Sequence, residues 1–274
     1  MPSKYVRFDD FAVNVEHTGA TTLPDRPPAL SRGAFLVFVH GEGGSAPLWS
    51  RQLAELGAEH SPVAIDLPGH GRSAGLDGPE SVGAGAEVLL RVRDAWNAPP
   101  AVIVGHGLGG QVALALAARR PERVRAVVTI GTAVRSPLAP ELVEQLRQVV
   151  RGRIGQQFDT PFFSGTPDFA VMRGFWGEMV KTDPRVRLQD VVAYANSDLG
   201  GMLGDVRRPV LVVQGAEDRM CPPACAEELA AAIPGARVQS IAGAGHVAHL
   251  EKPGEVNAAI AAFAAGLRPV AGVA

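Results

Sequence analysis

Short apolar runs alternate with longer amphipathic stretches along most of the chain. Residues 35–39 (Phe-Leu-Val-Phe-Val), 62–65, 101–104, 124–130, 209–213 and 237–241 read as strands. Most are continuously apolar and rich in valine and isoleucine, the pattern of parallel strands covered on both faces. Helical spacing recurs between them, over about 46–57, 81–96, from Leu108 to Ala118, 223–233 and 253–267. Near the start, residues 5–8 and 11–15 alternate apolar and polar positions around Asp9-Asp10, which predicts an antiparallel hairpin at a sheet edge. Residues 20–32 hold three prolines and read as an irregular loop, and 269–274 as a loose tail. Such alternation predicts an α/β fold, with eight strands in a mostly parallel sheet and helices on both faces. It breaks between 134 and 205, where helical patterns near 139–150, 168–180 and 188–196 have no strand among them.

The stretch 101–118 organises this pattern. A buried strand, Ala101 to Val104, runs into Gly105-His-Gly-Leu-Gly-Gly110, too rich in glycine for regular structure, and then into an apolar helix. From Pro99 to Ala118 there is no Asp, Glu, Lys or Arg, a length that would span a bilayer. The internal glycines and the missing flanking aromatics favour strand, turn and helix instead.

Composition narrows the function. The 274 residues, 46% hydrophobic and 20% charged, suit one globular domain with an insertion. A net charge of −2 without a basic stripe gives no support for nucleic acid or a membrane as partner. Cys221 and Cys225 cannot make a disulfide framework and lack the company of a zinc site, so two reduced thiols and no metal are expected. The first ten residues carry no apolar leader segment, and a cytoplasmic location is the expectation.

Four further motifs each follow a predicted strand. They are His40-Gly-Glu-Gly-Gly44, Asp66-Leu-Pro-Gly-His-Gly-Arg-Ser73, Gln214-Gly-Ala-Glu-Asp218, and Gly245-His246 with Glu251-Lys-Pro253. With the Gly105 turn, in this order, the chain resembles the α/β-hydrolase superfamily, whose nucleophile elbow is G-x-S-x-G between a strand and a helix. The resemblance covers nearly the whole chain. It implies a core of 1–133 and 206–274 with a helical cap over 134–205. It also implies an acid at Asp218, a base at His246, and an oxyanion hole built from Gly41, Glu42 and Leu108. The departure is Gly107, which stands where the family carries its nucleophile.

The chemistry can also be read from the residues. Acyl transfer needs a base held in one tautomer, a group that holds it, and N–H groups aimed at a developing oxyanion. Asp218 and His246 follow successive strands and can meet. Leu108 N–H opens a helix, whose N-terminus favours negative charge. Glycine at 107 keeps a turn that needs positive φ while removing the hydroxyl, so no acyl-enzyme can form there. His106 is expected to pack beside the elbow, His70 to be structural, and His249 to support His246 or face solvent. Glu42 either faces solvent, lending only its backbone, or acts on substrate. His106, Phe162, Phe175 and Trp176 are candidate substrate contacts, while Trp49 and Phe163 read as packing.

Three functions stay open at this stage. The chain is an enzyme that uses His246 and Asp218 as general base on a small, mostly apolar carbonyl substrate. Alternatively it is a serine ester hydrolase whose nucleophile has been replaced by glycine. Or it is a binding protein that kept the fold and lost catalysis. No cofactor is expected; a small-molecule substrate is, and a homodimer stays open.

Overall fold

In the computed structural model, the described residues are 1–9, 11–23, 26–75, 77–157, 161–165 and 167–268. Eight strands form one sheet in the order β1-β2-β4-β3-β5-β6-β7-β8. They are β1 (Ser3–Arg7), β2 (Ala12–His17), β3 (Phe35–Val39), β4 (Ser61–Ile65), β5 (Ala101–His106), β6 (Val124–Ile130), β7 (Val210–Gly215) and β8 (Arg237–Ile241). From β4 to β8 the pairing is parallel; β1 and β2 add antiparallel to that edge. The expected hairpin is therefore present, closed by Phe8 N–H donating to Phe11 C=O at 2.8 Å. Asp10 of its turn lies outside the described residues, as do Pro24 and Asp25 of the 20–32 loop and all of the 269–274 tail.

Central strands β3, β5 and β7 are buried along their whole length, because helices cover both faces. On one face pack α2 (Val82–Ala95), α3 (Leu108–Arg119) and α8 (Pro223–Ala232), with Leu89, Val112, Leu116 and Leu229 against Val37, Ile103 and Val212. On the other, α1 (Ser50–Leu56) and α10 (Pro253–Ala265) place Leu53, Leu56, Val256 and Ile260 against Phe38, Val104 and Val128. Burying one such side chain contributes roughly 1.5–3 kcal/mol. These two layers are what hold the strand ends, and the loops on them, in fixed register.

The helix expected over 46–57 begins with a 3-10 turn, Ala46–Trp49, before α1, since Pro47 suits only a first turn. Between β6 and β7 lie α4 (Pro140–Val150), α5 (Phe169–Met179), α6 (Pro184–Ala195) and the short α7 (Gly200–Leu203). Helix α6 starts four residues before the expected 188, because Asp183 caps it by accepting from Arg185 N–H and Pro184 sits in its first turn. A short helix α9 (Ala248–Glu251) also went unread in the sequence. Among the described residues no helix is long and apolar enough to cross a membrane; the uncharged 99–118 stretch is β5 and α3.

Candidate active site

The site gathers at the C-terminal ends of β3, β5, β7 and β8. Strand β5 ends in the tight turn at Gly107, with φ +51° and ψ −118°, which opens α3. Gly107 N–H donates to Ile130 C=O at 3.0 Å, pinning the turn to β6. The flanking glycines are required by close approach. A Cβ on Gly105 would lie 2.2 Å from the Gly109 carbonyl oxygen, and one on Gly109 2.5 Å from the carbonyl oxygens of Val39 and His40. Only a backbone without side chains fits between β3 and α3 at this level.

Asp218 and His246 are brought together as the sequence implied. His246 Nδ1 lies 2.9 Å from Asp218 Oδ2. The other oxygen of Asp218 accepts from the N–H groups of Met220 and Cys221, at 2.9 and 2.8 Å, so the carboxylate cannot swing. With Nδ1 on Asp218, Nε2 is the ring nitrogen left for the cavity. Glu251, on α9, accepts from Gly245 N–H at 2.7 Å and Ser164 N–H at 2.8 Å, holding the His246 loop against the segment before α5. Burial acts to lower the His246 pKa, but the charge and hydrogen bond of Asp218, with Glu42 and Glu251, outweigh it and raise it above the usual histidine value.

Glu42 gives the least expected feature. Its side chain does not point out to solvent. Oε2 lies 2.6 Å from where a Cβ on Gly107 would stand. The backbone N–H groups of Glu42 and Leu108 lie near enough to favour its charged form. These are two of the amide donors that the sequence assigned to a substrate oxyanion. Desolvation raises its pKa to about 6, although the two amides and His246 pull it down. Gly107 and Leu108 accordingly do not border the cavity; Glu42, Gly41, His106 and His246 do.

That cavity is narrow, about 40 Å³, room for a few waters. Its wall is mostly apolar: Leu48, Leu142, Phe162, Phe175, Met179 and Val191, with Arg187 and Tyr194 as polar members. Helices α4, α5 and α6 thus share a boundary with the ends of the strands. Phe162 and Phe175 line it as expected. Trp176 does not: it packs edge-on behind them, 5.5 Å from Phe162 and 5.0 Å from Phe175, because it sits one helical position away from the inward face of α5.

His106, His249 and His40 surround this centre as neutral rings. His106 Nε2 donates to the His246 carbonyl at 3.2 Å, and its ring lies 4.6 Å from that of His246. Burial, then the proximity of His246 and His249, pushes its pKa well below the usual value. His249 is buried rather than exposed, stacked 4.3 Å from Trp49, with its pKa pushed down to about 3 by burial and His246. His40 Nε2 accepts from Leu67 N–H at 3.1 Å, so Nδ1 is the protonated nitrogen, donating to Gly41 C=O at 2.8 Å. His70 pairs with Asp190 of α6 at 2.8 Å. Asp190 also accepts from Gly43 N–H at 2.8 Å, and Thr182 donates to Gly43 C=O at 2.9 Å. The Gly41–Gly44 loop is therefore clamped from the helical segment. Sequence reading missed Asp190 and Tyr194; the one available signal was an aspartate inside the apolar stretch of α6. Cys221 and Cys225 are free thiols, Cys221 buried. No group of three or more potential metal ligands occurs among the described residues.

The comparisons with known proteins agree with this architecture. The model of the alpha/beta hydrolase family matches residues 36–259. The chain is 32% identical over 244 residues to the dihydrolipoyllysine-residue acetyltransferase component of the acetoin cleaving system of Cupriavidus necator, covering 81% of this chain but only 61% of that protein. It is 29% identical over 261 residues to the pimeloyl-acyl-carrier-protein methyl ester esterase of Stenotrophomonas maltophilia, covering 88% of this chain and 96% of that one. Among solved structures, the enol-lactonase from Burkholderia xenovorans LB400 superposes with a TM-score of 0.83 at 24% identity, over 94% of this chain and 98% of the other, a likeness of fold. Sheet order, the glycine-forced turn after β5 and the family match lead to one conclusion: the chain belongs to the alpha/beta hydrolase family of enzymes.

Proposed function

We propose that the protein acts on a small, mostly apolar carbonyl compound, an ester or lactone above all, without a covalent acyl-enzyme. His246, held by Asp218, is the general base. The observation that carries this reading is the 2.9 Å His246–Asp218 contact beside an apolar cavity, at a turn that has no hydroxyl. Nε2 takes a proton from a bound water as that water attacks the carbonyl carbon. The electron pair moves onto the carbonyl oxygen, and the resulting anion is met by the amides of Leu108 and Glu42. Collapse expels the alkoxide, which recovers the proton from His246. General base catalysis of this kind contributes roughly 10²–10⁴ in rate, and preorganised amide donors a similar factor. The same base and donors would serve proton abstraction next to a carbonyl. Esterase and lactonase names among the relatives support the substrate class.

Residues 134–205 are proposed as the cap of this site, inserted between core segments 1–133 and 206–274. The contributions of Leu142, Phe175, Met179 and Val191 to the cavity wall support it. A panel of 4-nitrophenyl esters and simple lactones, followed with and without fluorophosphonate treatment, tests the function. Turnover unaffected by the reagent, with no mass gain on the protein, is the expected result. Inhibition with stoichiometric labelling would place a nucleophile elsewhere in the site and remove the reading.

A further inference from the structure

Helix α6 turns one face to the cavity. Arg187, Val191 and Tyr194 border it, at the i, i+4 and i+7 spacing of a single helical stripe. Tyr194 is 2% exposed, and its hydroxyl has no hydrogen-bond partner among the described residues. A buried hydroxyl without a partner destabilises a fold, and nearly all such groups are paired. Apart from Arg187, the rest of the wall contributed by 134–205 is apolar, with Leu142, Phe162, Phe175 and Met179 its larger members.

We propose that Tyr194 is the hydrogen-bond donor for a second oxygen of the substrate, so that the site selects a small carbonyl compound with a ketone, ether or hydroxyl oxygen beyond the carbonyl that reacts. The inference deepens the proposed function and rests on it for the place of the reacting carbonyl, beside His246.

The phenol is present as a donor. Burial first, then the charge of Glu42, holds its pKa well above the ordinary tyrosine value, so the proton stays on the oxygen. The Ala133 N–H is near enough to favour the phenolate, but an amide N–H is itself a donor and cannot accept that proton. His106, also on the cavity wall, offers a contrast: its ring donates to the His246 carbonyl at 3.2 Å and is committed within the chain. The Tyr194 O–H is not. A site built to hydrogen-bond a ligand oxygen discriminates against the analogue that lacks it, because the protein donor is then left unpaired in a buried place.

Binding, not turnover, tests this, so it can fail separately from the role of His246. The chain has two tyrosines, Tyr5 and Tyr194, and Tyr5 is 51% exposed. Protein labelled with ¹³C at the tyrosine ζ carbon therefore gives two resonances, assigned with Tyr194→Phe, and Tyr5 is the internal control. The probes are 2,3-, 2,4- and 2,5-hexanedione against 2-hexanone, in which a ketone stands for the ester and nothing can be hydrolysed. In wild type at least one diketone is expected to move the Tyr194 resonance downfield and leave Tyr5 in place, binding at least tenfold more tightly than 2-hexanone. In Tyr194→Phe that preference should vanish. The same variant should keep the wild-type Tm, since it removes an O–H that has no acceptor. A Tyr194 resonance that no diketone moves, or a diketone preference that survives in Tyr194→Phe, would overturn the proposal. So would a Tm lowered by several degrees in Tyr194→Phe, which would show the O–H already paired within the chain.

Discussion

Glu42 and Gly107 occupy one another's space: the Glu42 Oε2 atom lies 2.6 Å from the point where a Cβ on Gly107 would be built. Gly107 also has φ +51°, which side-chain-bearing residues rarely adopt. Together these bear on how a hydroxyl can be introduced at position 107. Gly107→Ser should fold with a loss of about 1–3 kcal/mol from backbone strain, and should label only weakly with a fluorophosphonate, because the Glu42 carboxylate still fills the space beside position 107. Gly107→Ser combined with Glu42→Ala should label and hydrolyse 4-nitrophenyl acetate. Equal labelling of single and double variants would show that Glu42 does not stand in the way.

His246 should titrate above the usual histidine value. Burial alone would lower it, and Asp218, Glu42 and Glu251 reverse that effect. The neutral ring is the base, so activity should rise as pH increases through this pKa. Glu42→Gln removes one of the negative charges and should move the rising limb to lower pH; ¹⁵N imidazole shifts give the same pKa directly. A limb that stays in place in Glu42→Gln, or moves to higher pH, would contradict the electrostatic account of the site.

Asp218→Asn should leave the fold intact and spoil the tautomer of His246. A loss on the order of 10⁴ in kcat accompanies this change in a comparable triad. Little change in KM is expected, since Asp218 does not border the cavity. A drop in kcat of less than tenfold would mean that Asp218 is only a structural partner.

Most of the fold was legible because strand periodicity and glycine placement are local. The run from Val102 to Val104 and the glycines at 105, 107 and 109 predict strand and turn without knowledge of the rest. Asp218 and His246 were legible for a similar reason: each follows a strand of a parallel sheet, and parallel strand ends converge. Glu42 was not legible. Whether its side chain turns in or out depends on the empty space at 107 and on the Leu108 amide, 66 residues away in sequence. Asp190 was hidden for the same reason, since its partners His70 and Gly43 belong to two other loops. Trp176 was misplaced because spacing along α5 cannot tell the inward face from the neighbouring one when both are apolar.

The Asp190–His70 pair should matter for stability. Both side chains are fully buried, and removing one partner of such a pair costs about 3–5 kcal/mol. Asp190→Ala should lower Tm by several degrees and also loosen the Gly43 loop. Burial opposes charge on His70, but Asp190 raises its pKa above the usual value. A raised histidine contributes stability that is complete below its unfolded-state pKa and is lost as pH rises through the folded-state value. The Tm difference between wild type and Asp190→Ala should therefore be larger at pH 6 than at pH 9. A difference independent of pH, or larger at pH 9, would contradict this coupling.

The central claim is that His246 carries out base catalysis beside a turn, at Gly107, that carries no nucleophilic side chain. Its most direct test is the rate of hydrolysis of the best ester or lactone found for the wild type, measured again for His246→Ala at the same pH, with folding checked by circular dichroism. A fall of at least 10²-fold, in the range that general base catalysis contributes, is the result expected. A folded His246→Ala variant that hydrolyses the same compound at the wild-type rate would contradict it.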